Sequence, residues 1–173
     1  MSNHTLLTLG AFFILTTVLL NLFRNIGSAG DDVGNAQDMI LATTISTSYL
    51  EYAQGLAYDQ ATDTLNVGAN TGMLTPVNLL GREGTEDSIK SFNDFDDFNR
   101  LTVVKGATGT NRLFTSRFRV SYVLGSDVDV ISNSPTFVKR LDIQTWRSAP
   151  PLPDGAIPDT LKLSICMGYF HFD

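Results

Sequence analysis

The chain has 173 residues, room for one ordinary domain with a segment to spare. Its formal net charge is -6 and its pI near 4.7, which argues against nucleic acid as a partner, because phosphate binding needs clustered Lys and Arg. Cys166 is the single cysteine, so an intrachain disulfide is excluded, and the residue reads as a small buried hydrophobe on a strand.

The charge is distributed in two blocks. Residues 1–30 carry no acid and one base, Arg24, so the remainder holds all 18 acidic residues against 11 basic ones, a net -7. From Leu6 to Phe23 the chain reads LLTLGAFFILTTVLLNLF, 18 residues without a charge. That is the lower edge of what spans a bilayer, since about 20 helical residues cross ~30 Å. Leu6, Leu7, Leu9, Phe12, Phe13, Ile14, Leu15, Val18, Leu19, Leu20, Leu22 and Phe23 fall on every side of such a helix, so it must be covered all round. Three readings fit: a signal peptide, a one-pass membrane anchor, or a helix that rests in a membrane before assembly and later packs among its own copies. A signal peptide would bring a basic region ahead of Leu6, and none is present.

Gly27, Gly30 and Gly34 then fall within eight residues, and interior glycine costs a helix up to about 1 kcal/mol relative to alanine. These glycines predict a break and hinge, with Asp31 and Asp32 capping a second helix from near Val33 to about Ala57. The domain division follows: 1–30 as an apolar helix and hinge, 31–173 as a globular α+β head. In the second helix Leu41, Ile45, Tyr49, Tyr52 and Leu56 form one stripe beside Ala42 and Ala53, and the stripe should face a sheet.

Residues 58–100 lack sustained periodicity and read as a long connection with a surface role. Within it, SFNDFDDFNR offers Asp94, Asp96, Asp97 and Asn99 as hard oxygen ligands for Ca2+. The plainer reading is a solvated acidic turn with Phe95 and Phe98 tucked inward, since the glycine and distal Glu of an EF-hand loop are missing.

After Leu101 the period becomes two. LTVVK, RLFTSRFRVSYVLG, TFVKRLDIQTW and TLKLSICMGYF predict four strands in an antiparallel meander. Phe114, Phe118, Val120 and Tyr122 should be buried against the helix stripe, with Arg117 and Arg119 outward. Phe137, Leu141 and Ile143 form the inner set of the third strand, and Leu161, Leu163, Ile165 and Met167 that of the fourth. SAPPLPDGAIPD, rich in proline, predicts a stiff link between the last two.

An apolar N-terminal helix, a glycine-containing break, an amphipathic continuation, a long αβ connection and a four-stranded antiparallel sheet, in that order, resemble the type IV pilins and pseudopilins. The resemblance is one of layout over the whole chain. Two features differ: Thr5 stands where the family carries an acidic fifth residue, and no basic leader ending in glycine precedes the apolar run. The resemblance implies an anchored subunit of a bacterial inner membrane that assembles, with pilus assembly machinery, into an extracellular helical filament of its own copies. The alternatives are a pseudopilin of a secretion or uptake system and a monomeric membrane-anchored binding domain. No G-x-x-x-x-G-K, G-x-S-x-G, H-E-x-x-H or C-x-x-C occurs, and His4 and His171 have no partner spacing. The expectation is therefore a structural subunit with no catalytic residues and no cofactor.

Overall fold

The computed structural model describes residues 3–64, 66–84, 86–151 and 158–170. Two units are distinguished, Met1–Ile40 and Leu41–Asp173. Helix α1 spans Asn3–Gln54 without interruption, which corrects the predicted break and the second start near Val33. The physical reason is that glycine lowers helix stability without supplying a stop. No proline precedes Pro76, and once a helix is nucleated every further residue adds a backbone hydrogen bond. Gly27, Gly30 and Gly34 therefore mark no change of backbone geometry, and Asp31 and Asp32 lie inside the helix rather than at its cap. A Cβ added at any of the three glycines would meet nothing within 4 Å. The helix closes beside Gly55, where Gly55 N donates to Tyr52 O at 3.1 Å and Leu56 N to Ala53 O at 3.3 Å.

In the unit Leu41–Asp173, five strands form one antiparallel sheet: β1 Thr102–Gly106, β2 Leu113–Leu124, β3 Asp127–Ile131, β4 Val138–Ala149 and β5 Thr160–Gly168. The order is β1-β2-β4-β5, with the short β3 paired to the end of β2. The four predicted strands are present in the predicted order, and β3 is an addition. Its five residues are all exposed, so burial gave it no alternation to read. Gly125-Ser126 between Leu124 and Asp127 is a two-residue hairpin turn signal that marks it.

Register follows the period-two reading. Phe114, Phe118, Val120 and Tyr122 are buried, while Arg117 and Arg119 face outward. Tyr49 meets Phe118 edge-on at 5.2 Å between ring centroids, and Phe98 lies 5.4 Å from Phe118. The helix stripe is rotated from its predicted centre, because Ala42, Ile45, Tyr49 and Ala53 are buried while Tyr52 is 40% exposed. Ser46 shares this buried face and donates to Thr145 Oγ1 at 2.8 Å. Tyr122 belongs elsewhere than predicted: it packs in a second cluster with Tyr58, Val67, Leu74 and Leu80. Cys166 is exposed on β5, correcting its assignment as a buried residue; inward positions are Leu161, Leu163, Ile165 and Met167, so Cys166 alternates outward.

Residues 58–100 are likewise more than a surface connection. They hold the short helix α2, Gln60–Thr64, and 3-10 turns at Thr71–Met73, Val77–Leu79, Ile89–Ser91 and Phe95–Phe98. Tyr58, Val67, Leu74, Leu80, Phe92, Phe95 and Phe98 are buried, so the segment supplies much of the core. The core of the proline-rich link, residues 152–157, lies outside the described residues.

A helix that runs through glycines in open space has alanine as its direct improvement. Gly30→Ala is expected to stabilise α1 by about 1 kcal/mol, read as a higher melting temperature of the helical circular dichroism signal in detergent. A lower helix content would show that the backbone there departs from α geometry.

Candidate functional site

Two features of the chain are chemically unusual. The first is the surface of α1 between Leu6 and Phe23. All twelve apolar side chains assigned to a membrane or filament core are exposed, from 44% at Leu19 to 76% at Phe13. The helix is long and apolar enough to cross a membrane. Its threonine hydroxyls are internally satisfied: Thr16 Oγ1 donates to Phe12 O and Thr17 Oγ1 to Phe13 O, each at 2.8 Å. Thr8 Oγ1 lies 3.0 Å from Thr5 O and 3.1 Å from His4 O. Threonine pays its hydroxyl's desolvation by bonding back to the preceding turn, which makes it compatible with an apolar surrounding.

The second is a buried cluster of charge in the head. Lys139 is fully buried on β4, and its Nζ donates to Tyr58 O at 2.9 Å, to Asp59 Oδ2 at 2.8 Å and to Asp96 Oδ1. All three ammonium protons thus have acceptors. The ammonium also sits 4.8 Å from the Tyr58 ring centroid and 5.4 Å from that of Tyr122. Asp59, itself fully buried, accepts from Ala61 N at 3.1 Å and Thr75 N at 3.1 Å, and Tyr122 Oη lies 3.3 Å away. Burial pushes the Asp59 carboxyl up, but Lys139 and these backbone donors outweigh it and hold the group below its usual range.

The acidic turn predicted as solvated is buried. Asp94, Asp96 and Asp97 have no exposed surface and Asn99 has 9%. Phe95 and Phe98 are tucked inward as expected. The four oxygen-bearing side chains serve mostly as braces. Asp94 Oδ1 caps the 95–98 turn through Asp96 N at 2.9 Å, and Asp97 Oδ2 accepts from Asn93 N at 2.9 Å and Asp94 N at 3.2 Å. Asp96 Oδ2 accepts from Gly81 N at 3.1 Å, a residue at φ +131° that glycine alone adopts easily. Asn99 bridges Leu80 O, at 2.9 Å, to Val120 N of β2, at 3.0 Å. Asp96 and Asn99 thereby have both polar atoms committed to protein, and the quartet does not converge on a cation. Burial and the adjacent charge of Asp96 raise Asp94 to about 8; burial and Glu86 raise Asp97 to about 6.

Lys139 and Asp59 were missed by sequence reading. Their signal was present in parity: Lys139 occupies an inward position with Leu141 and Ile143, a charge on an apolar face. Comparison with protein-family models, with characterised proteins and with solved structures finds no match.

Two outcomes test the cluster. Lys139→Met leaves Asp59 and Asp96 buried without a counter-charge and is expected to cost about 3–5 kcal/mol in urea denaturation of the detergent-solubilised chain; a loss under ~1 kcal/mol would remove Lys139 from this role. The second concerns pH. A folded-state value near 8 for Asp94, against an ordinary value of 3.8, means that the folded chain binds the extra proton across that interval. That group's contribution is complete below about pH 4 and is lost as pH rises toward 8. Asp94→Asn keeps a capping oxygen and removes the titration, so it is expected to gain stability relative to wild type between pH 5 and pH 8. Parallel stability profiles for the two proteins would contradict this.

Proposed function

We propose that this chain is a non-catalytic structural subunit that assembles, through α1, into a pilin-like extracellular filament. The observation that carries the reading is the exposed, charge-free surface of residues 6–23, joined in sequence to an acidic α+β head. Twelve large apolar side chains, each worth about 1.5–3 kcal/mol on burial, amount to tens of kcal/mol, beyond the ~5–15 kcal/mol that stabilises a domain. Water is therefore not the final environment of this helix. Lipid covers it before assembly, and neighbouring copies cover it afterwards.

The head supports the same reading. An amphipathic stretch of α1 packs on an antiparallel sheet whose strands follow in chain order, which is the layout of the pilin head. Its net charge keeps copies soluble and apart until the helices associate. The partners on this reading are copies of the chain, the inner membrane and an assembly machinery. Residues 1–30 carry no acidic side chain, so registration between these helices rests on apolar fit rather than on a carboxylate within the segment.

Negative-stain microscopy of the full chain after detergent removal tests the proposal, with helical filaments expected. Leu15→Arg places a charge mid-segment, where an unpaired buried charge is far costlier than a lost methyl group. It is expected to abolish filaments while leaving the thermal unfolding of the head unchanged. Dispersed single chains in lipid, from both wild type and variant, would instead identify a monomeric anchored domain.

A further inference from the structure

The head contains a small group of carboxylates that its own cation does not serve. Lys139 is engaged by Asp59 and Asp96, and no salt bridge among the described residues reaches Glu83, Glu86 or Asp97. Carboxylate oxygens of these three residues all lie within 4.8 Å of one another. Local structure holds them there. Glu86 N donates to Glu83 O at 3.0 Å, and Glu83 N donates to Glu86 Oε2 at 3.0 Å, a reciprocal pair that holds the Glu86 carboxylate beside the Glu83 backbone. Asp97 is fixed from the other side by the Asn93 and Asp94 N–H groups on Oδ2.

The decisive atom is Asp97 Oδ1. It is fully buried and receives no hydrogen bond, an arrangement that native interiors avoid. With Oδ2 held by backbone, Oδ1 is the oxygen left to face Glu86, which is itself only 5% exposed. Two carboxylates cannot donate to each other, so something positive must lie between them. A proton neutralises one charge of three, whereas a divalent cation neutralises two and uses all three oxygens at once.

We propose that Glu83, Glu86 and Asp97 form a Ca2+ site that fastens the hydrogen-bonded pair Glu83 and Glu86 to the 95–98 turn. The donor set is oxygen only and anionic, as hard cations require. Ligands at the usual Ca–O distance of about 2.4 Å lie roughly 3.4 Å apart when adjacent and about 4.8 Å apart when opposite, so this spread fits one ion. Glu83 is exposed, which leaves the outer side open to water ligands and gives the ion a path in. Ca2+ is favoured over Mg2+ because three carboxylates drawn from two separate stretches, one of them containing Gly84, suit flexible coordination better than a strict octahedron. Arg82 and Arg100 border the same groove as Glu83 and Glu86, and neither pairs with the three acids; they temper affinity toward the range of extracellular modules. This site shares only Asp97 with the Asp94, Asp96, Asp97 and Asn99 set read from sequence.

The test uses the full chain in detergent, stripped with a chelator, titrated with CaCl2 by calorimetry at pH 7 and melted with and without the ion. Saturable Ca2+ binding and a raised melting temperature are expected. Glu83→Gln, at an exposed position that the fold does not need, is expected to weaken binding about tenfold, and Glu86→Gln at least as much. Absence of heat at millimolar Ca2+ with superimposed melts would overturn the site and leave a shared proton between Asp97 and Glu86. Binding unaltered in both variants would place the ion elsewhere and equally overturn it, as would MgCl2 matching CaCl2 in affinity.

Discussion

One buried ammonium organises the head. Lys139 reaches from β4 to Tyr58 O and Asp59 at the start of the long 58–100 segment and to Asp96 near its end, so three separated stretches of backbone meet on a single nitrogen. Apolar side chains alone would pack that segment without fixing its position, because the hydrophobic effect is not directional. Hydrogen bonds to a fully buried charge are directional, and each one lost leaves a large desolvation cost. We attribute the unique placement of the segment to this constraint. The isolated bridge between Ala57 and Asp94, which closes the two ends of the segment on each other, accords with it.

The same centre explains why the acids are inside. Asp94, Asp96 and Asp97 lie in one 3-10 turn and its cap, where backbone N–H groups point toward them as they do at any helical N-terminus. Asp96 is carried to Lys139 by that geometry, and Asp94 and Asp97 are carried inward with it. The cost is a concentration of like charge, offset by protonation of Asp94 and by the braces that Asp97 and Asn99 provide. Acidity that reads from composition as a soluble surface is here partly a structural interior.

Legibility in the sequence followed the strength of each periodic signal. The strands from Leu101 onward were readable because Phe114, Phe118 and Val120 alternate with Arg117 and Arg119, and the sheet buries that parity. The apolar run from Leu6 to Phe23 was readable from the absence of charge. The glycines of residues 27–34 misled because propensity is a per-residue cost of about 1 kcal/mol, whereas a helix end needs a capping or covalent stop. The interior of 58–100 was opaque because its structure rests on side-chain to backbone bonds across long separations, such as Tyr58 Oη to Thr136 O at 2.7 Å, which leave no period. Lys139 was hidden by the habit of assigning charges to the outside, although its parity placed it within.

Thr8, Thr16 and Thr17 bond to their own preceding turns, and apolar side chains occupy every azimuth around residues 6–23. Such a rod has no preferred side. Turning it about its long axis exchanges one greasy flank for another and breaks no hydrogen bond that these hydroxyls make. Whatever surrounds it must select among near-equivalent rotational settings by the fit of ridges and grooves alone. The face that residues 6–23 turn to any given neighbour is thus left to shape, with no charged group to mark it.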